Sequence, residues 1–149
     1  MSLDEKSGPV LIDHVGWRLW RLARQWKVEF DGEMLALGYP WVTEARGAIV
    51  GHLRPGGLPQ SALAGALGVS KQAVQQFVDE LVEEGAVERV ADPSDGRGKL
   101  VRLTAVGIAF IEDGNEVKRA IEKRYRSKLG KQRLADLNAA LDELATKEG

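Results

Sequence analysis

Apolar residues recur at helical intervals along most of this chain and at strand-like intervals in one stretch past its middle. Leu11, Val15, Leu19, Leu22 and Trp26 form one helical stripe, with Arg18, Arg21, Arg24 and Lys27 on or near the opposite side. This pattern predicts a helix over 10–37, broken by Gly38-Tyr39-Pro40. Thr43 is the expected N-cap of a second helix whose Ala45, Ile49, Val50 and Leu53 face inward, and Arg54-Pro55-Gly56-Gly57 ends it. Pro59 sits where a first-turn proline belongs, ahead of a short helix from Gln60 to Leu67 that Gly68 ends. Ser70 caps the next helix, which runs to about Glu84 and stops at Gly85. Ala86 to Val90 and Leu100 to Leu103 are short β-like pieces around a turn-rich tip, Asp92 to Gly98, which predicts a hairpin with a long loop. After Thr104, Val106, Phe110, Val117, Ile121 and Tyr125 mark a long helix punctuated by Gly130, and Leu134, Leu137, Leu141 and Leu144 mark the last.

The segment from Gln60 to Val78 has the pattern of a helix-turn-helix. Two helices crossing steeply around a short turn need a small residue at the crossing, supplied by Ala64, and a turn residue tolerant of positive φ, supplied by Gly68. Val69 plugs the turn, and Val74, Phe77, Val78 and Leu81 anchor the second helix on one face. Lys71, Gln72, Gln75, Gln76 and Asp79 are left outward. Glutamine pairs bidentately with adenine, and lysine reaches guanine or phosphate. Base contacts concentrate at the N-terminal part of a recognition helix, and here acids begin only at Asp79. A winged-helix module that binds protein instead of DNA has the same core, so both readings stand at this point.

Composition removes other classes. The 149 residues are 44% apolar and 29% charged, the balance of an ordinary globular chain. No run approaches the roughly 20 apolar residues of a membrane span, and Met1 to Pro9 lacks a secretory signal pattern, so a cytoplasmic location is the expectation. With no cysteine there is no disulfide, thiolate site or thiol redox switch. His14 and His52 lie far apart, so a metal site would have to be completed by carboxylates; neither metal nor cofactor is expected. His14, in a helical stripe beside Trp17, reads as structural, and His52 as a solvated helix end. There is no H-E-x-x-H, no G-x-S-x-G and no phosphate loop after a strand, so the chain is not expected to be an enzyme. The net charge of −1 means that any DNA-binding face is local. Residues 58–107 hold five bases against seven acids, net −2, so only the presumed DNA face is basic.

Asp92-Pro93-Ser94-Asp95-Gly96-Arg97, followed by a short strand and Leu103-Thr104-Ala105-Val106-Gly107, resembles the wing signature of the MarR (multiple antibiotic resistance regulator) family, D-P-x-D-x-R and then L-T-x-x-G. The resemblance covers nearly the whole chain, with residues 58–107 its specific part. Many members carry a second basic residue where Gly96 stands. On physical grounds alone, a glycine-flanked arginine at a narrow tip suits the negative potential of a minor groove. Asp95 is placed to fix the Arg97 fork, and Lys99 and Arg102 add charge for phosphates.

The expected fold is therefore mainly α with a small β-hairpin wing. A flexible N-terminus (1–9) leads to an N-terminal dimerisation helix (10–37), a winged helix-turn-helix DNA-binding lobe (41–104) and C-terminal dimerisation helices (105–149). The expected DNA-binding residues are Ser61, Ser70, Lys71, Gln72, Gln75, Gln76, Arg97 and Lys99, with Asp95 stabilising the wing. The resemblance implies a homodimer of interdigitated terminal helices on a palindromic double-stranded operator, with repression as the family default. The stripes at residues 11–26 and Leu134–Leu144 exceed what a small winged-helix core covers, which points the same way; packing of both stripes within one subunit is the alternative. The resemblance further implies release by a small aromatic effector, in a region that would include Trp17, Trp20, Arg21, Trp41, Arg46 and Phe110, although tryptophans at helical spacing are more often core or interface.

Overall fold

The computed structural model describes residues 8–42 and 45–145. Thr43, the expected cap, and the first seven residues of the expected flexible N-terminus lie outside the described residues. The elements follow in the order α1 (Val15–Ala36), α2 (Ala45–His52), β1 (Leu58–Pro59), α3 (Gln60–Leu67), α4 (Lys71–Glu83), β2 (Val87–Asp92), β3 (Asp95–Leu103), α5 (Ala105–Leu129) and α6 (Lys131–Leu144).

The first helix starts later than its stripe predicts. His14 is extended and its Nδ1 accepts the Trp17 amide at 3.3 Å, so this residue caps α1 and Leu11 stands outside it. The other histidine, His52, closes α2 with Nδ1 2.7 Å from the Ala48 carbonyl oxygen.

The hairpin is part of a three-stranded antiparallel sheet in the order β1-β3-β2. Leu58 and Pro59 pair with Val101 and Leu100, so Pro59 is an edge-strand residue and the N-cap of α3 rather than its first turn. Proline suits an edge because it has no N–H to donate to a ladder. The hairpin strands are also longer than predicted, leaving only Pro93 and Ser94 between them.

The core joins the helix-turn-helix to the sheet: Ile49, Leu63, Val74, Val78, Leu81 and Val101 are almost wholly buried. The inward stripe of α5 differs from the predicted one. Val106 is 46% exposed, and the buried positions are Gly107, Phe110, Gly114, Val117 and Ile121, a three-four-three-four progression. Two of these are glycines, which a count of apolar side chains passes over. A Cβ at position 107 would lie 2.2 Å from the Ala86 carbonyl oxygen and 2.9 Å from Leu103 Cδ2. Thr104 holds the same junction: its amide donates to Ala86 O, its hydroxyl donates to Gly85 O, and its Oγ1 accepts the Gly107 amide.

Beyond this lobe, α1 packs on α5, and Arg124 of α5 reaches Glu29 and Glu33 of α1, each at 3.2 Å. The terminal stripes are only partly covered. Of the α6 leucines Leu134 is buried, Leu137 and Leu141 are half-buried, and Leu144 is 69% exposed.

Gly107→Ala is expected to cost about 2–3 kcal/mol, because backbone rather than a flexible side chain meets the new methyl group. Gly65→Ala, on the exposed side of α3 with nothing within 4 Å of the added carbon, is expected to raise stability by about 0.5–1 kcal/mol. Urea unfolding of the two variants beside the parent checks both signs.

Candidate nucleic-acid interface

The turn between α3 and α4 is built as its residues dictate. Gly68 ends α3 in the left-handed region (φ 66, ψ 30), and the Val69 amide returns to Ala64 O at 3.2 Å. Ser70 is extended and its Oγ accepts the Ala73 amide at 3.0 Å, which starts α4 and places Lys71 and Gln72 in its exposed first turn. Ser61 is exposed in the first turn of α3.

The outward residues of α4 fall into two groups. Lys71 and Gln72 make no side-chain hydrogen bond or ion pair among the described residues. Gln76 donates to Glu80 at 3.4 Å, and Gln75 is bonded on both sides, to Gln60 at 2.6 Å and to Asp79 at 3.1 Å. An open cleft beside them is lined by Gln60, Ser61, Gln75, Arg89, Asp95 and Lys99, so it joins the start of α3 and the second turn of α4 to the wing.

In the wing, Ala91 pairs with Lys99 but Asp92 pairs with Asp95, which leaves Gly96, Arg97 and Gly98 bulging without partners on β2. Arg97 stands at the centre of that bulge and is exposed. Asp95 Oδ1 accepts the backbone amide of Arg97 at 3.1 Å; it shapes the bulge and does not grip the guanidinium fork, as the sequence suggested it would. A second carboxylate, which sequence reasoning missed, holds the turn. Asp92 Oδ1 accepts the Ser94 hydroxyl at 2.7 Å and the Ser94 amide at 2.9 Å, and these bonds keep its carboxyl below the usual range. The signal was available, since Asp two residues before Ser in a Pro-containing turn is an Asx-turn pattern.

Charge is sorted across the lobe. Arg46 pairs with Glu80, Arg89 with Asp79, and Arg102 with Glu88. Arg102, expected to serve phosphates, is thus neutralised from β2. Arg97 and Lys99 have no such carboxylate among the described residues.

Residues 43–98 match the MarR family. The multiple antibiotic resistance protein MarR of Escherichia coli is 36% identical over 81 residues, 54% of this chain and 54% of that protein, so the chain spans about half the length of the curated relative it matches. The apo structure of E. coli MarR superimposes with a TM-score of 0.74 at 23% identity, covering 92% of this chain and 100% of that one. A probable transcriptional regulator from Pseudomonas aeruginosa gives 0.67 at 27% identity, covering 89% and 98%. Staphylococcus aureus MepR, solved as a DNA complex, gives 0.68 at 20% identity, covering 89% and 97%. Over residues 43–98 the chain is similar to the MarR family, and it shares the fold of these regulators over most of its length.

Proteins of the MarR family are transcription regulators and not enzymes. No described helix is long and apolar enough to cross a membrane, and no group of three potential ligands for a metal occurs among the described residues. The six residues that the MarR resemblance suggested for an effector do not gather in one pocket of a single chain. Trp41 and Phe110 are buried with ring centroids 4.3 Å apart, and Tyr39 packs edge-on against both. Trp17 and Trp20 stack on an exposed face of α1, with Arg21 and Arg24 over their rings. Arg46 is on α2, against Glu80.

Tyr39 ties the α1–α2 connection to α5 by donating its hydroxyl to Asp113 Oδ2 at 2.6 Å. Burial, then the bond to Asp113 and its charge, push the phenol up to about 12 from 10. The neutral phenol is the form that the fold favours. Its contribution is whole below pH 10 and is lost as pH rises from 10 through 12, on the order of 1–2 kcal/mol after allowance for solvent screening. An ultraviolet titration of phenolate is expected to show Tyr39 ionising near the upper value in the native protein, and stability falling over that window. Tyr39→Phe should remove that part of the alkaline loss.

Proposed function

We propose that this protein is a MarR-family, sequence-specific double-stranded DNA-binding regulator that acts as a homodimer on a palindromic operator and represses by occupying the promoter. The observation that carries the reading is the sorting of charge. Arg46, Arg89 and Arg102 of the lobe are neutralised by its acids, while Lys71 and Gln72 at the start of α4 and Arg97 and Lys99 on the wing are exposed and uncommitted. Such a helix end supplies groups for base edges in the major groove, and a bulged arginine suits a minor groove or phosphates. Ser61, Ser70, Gln75 and Gln76 complete the surface. The MepR–DNA complex supports the reading by shared fold.

The dimer rests on apolar surface that one chain leaves bare. Leu11 and Ile12 are 90% and 75% exposed ahead of α1, and a groove lined by Leu19, Leu22, Trp26, Leu137 and Leu141 lies open between α1, α5 and α6. Two-fold pairing sets recognition helices about 34 Å apart, one turn of duplex. A small aromatic anion as effector draws support from Trp17 and Trp20 with Arg21 and Arg24 over their rings; Trp41 and Phe110 serve the core.

Selection of bound sites from random duplex DNA is expected to return a palindrome. Arg97→Ala should weaken binding to all sequences and lower the salt slope by about one, whereas Gln72→Ala should alter preference at one base position by about 1–3 kcal/mol. Unchanged affinity and slope for Arg97→Ala would remove the wing from the interface, and indifference to duplex altogether would favour a protein-binding module. For the dimer, Ile12→Asp with Leu144→Asp changes two side chains largely exposed in one chain. The pair is expected to raise the dissociation constant about ten-fold or more in sedimentation equilibrium; no change would separate these residues from the interface.

A further inference from the structure

Four side chains from three elements close a ring beside the start of α4. Arg89 on β2 donates from Nε to Gln60 Oε1 at 2.8 Å, and Gln60 donates from Nε2 to Gln75 Oε1 at 2.6 Å. Gln75 donates from Nε2 to Asp79 Oδ1 at 3.1 Å, and Arg89 Nη1 closes the circuit on the same oxygen at 2.7 Å. Arg89 also reaches the Gln75 backbone carbonyl, at 3.4 Å.

The direction of this ring is fixed by its charged members. A guanidinium only donates and a carboxylate only accepts. The Gln60 oxygen must therefore face Arg89, which turns its amide nitrogen toward the Gln75 oxygen, and the Gln75 nitrogen is left for Asp79. Reversing either amide sets oxygen against oxygen or N–H against N–H. Gln75 keeps one further N–H and one further lone pair for an outside partner, in an order imposed by Gln60 and Arg89 from outside α4 together with Asp79 on it.

Bidentate recognition of adenine needs an acceptor for the N6 amino group and a donor for N7. A freely turning glutamine offers the two in either order; a clamped one offers a single order and distinguishes the orientations of an A·T pair. We propose that Gln60 is a positioning residue for specificity, acting through Gln75 to set the order in which that amide meets the base edge. This rests on the duplex-binding reading given above.

The test is site selection from random duplex DNA with the full chain, its Gln75→Ala variant, Gln60→Met and Gln60→Glu, with thermal melts establishing that each is folded. Gln75→Ala identifies the symmetric pair of positions at which preference flattens. Both Gln60 variants are expected to lower preference at those same positions, about five-fold or more, with other positions unchanged. Gln60→Met is expected to keep the parent salt slope, because no charge is altered. Gln60→Glu preserves an acceptor for Arg89 but has no N–H for Gln75, so parent-like preference in that variant would overturn the proposal. So would flattening at positions other than those set by Gln75. If the parent protein enriches no sequence, the duplex reading fails and the proposal with it; if the parent enriches a palindrome and both Gln60 variants return it unaltered, only the role of Gln60 falls.

Discussion

The rest of the molecule is arranged around the point where the first turn of α5 lies against the carbonyl of Ala86. Hydrogen there leaves room where a methyl group has none, and Thr104 fastens the approach from both sides by bonding Gly85, Ala86 and Gly107. Ala86 lies between the Glu84-Gly85 end of α4 and the start of β2, while Thr104 follows β3 directly. Helix, wing and the long α5 therefore meet within a few residues, joined by the Thr104 amide and hydroxyl and by the close backbone approach of Gly107 to Ala86. The orientation of α4 and the wing relative to α5 is fixed at this junction, and every functional group of the lobe inherits its position from it.

Electrostatics follows from that packing. Because β2 lies against the side of α4, Arg89 reaches Asp79, and because β2 and β3 are cross-strand neighbours, Arg102 meets Glu88 directly opposite. Three of the acids that make residues 58–107 net negative, Asp79, Glu80 and Glu88, are occupied with the lobe's own arginines. Of the others, Glu83 and Glu84 close α4, and Asp92 and Asp95 bind backbone amides in the wing turn. Within residues 58–107 the cations without a carboxylate partner among the described residues are Lys71 at the helix start and Arg97 and Lys99 on the wing.

Where the determinant is local, the sequence was legible. Gly68, Ser70 and the α4 anchors act within a few residues of themselves, and the helix-turn-helix emerged as expected. What escaped depends on distant partners or on missing side chains. A two-residue strand at Leu58 and Pro59 is too short for alternation to register. The inward face of α5 passes through Gly107 and Gly114, so a search for apolar side chains selected Val106, one position away. The pairing of Arg102 and the ring through Gln60 require knowledge of which strands adjoin. Trp17 and Trp41 are aromatic alike, but the break at Gly38 to Pro40 sends one to an exposed helix face and the other to the core.

The neutralised arginines have a kinetic counterpart for a protein of this kind. Attraction to a polyanion at distances beyond a Debye length depends on net field, and a chain with net charge −1 projects little of it. On the duplex-binding reading proposed above, capture on arbitrary stretches of chromosome, which is driven by counterion release, would be correspondingly weak. Fewer molecules would then be held at the vast excess of wrong sites, and a few correct ones would be occupied from a smaller pool, at the expense of slower arrival.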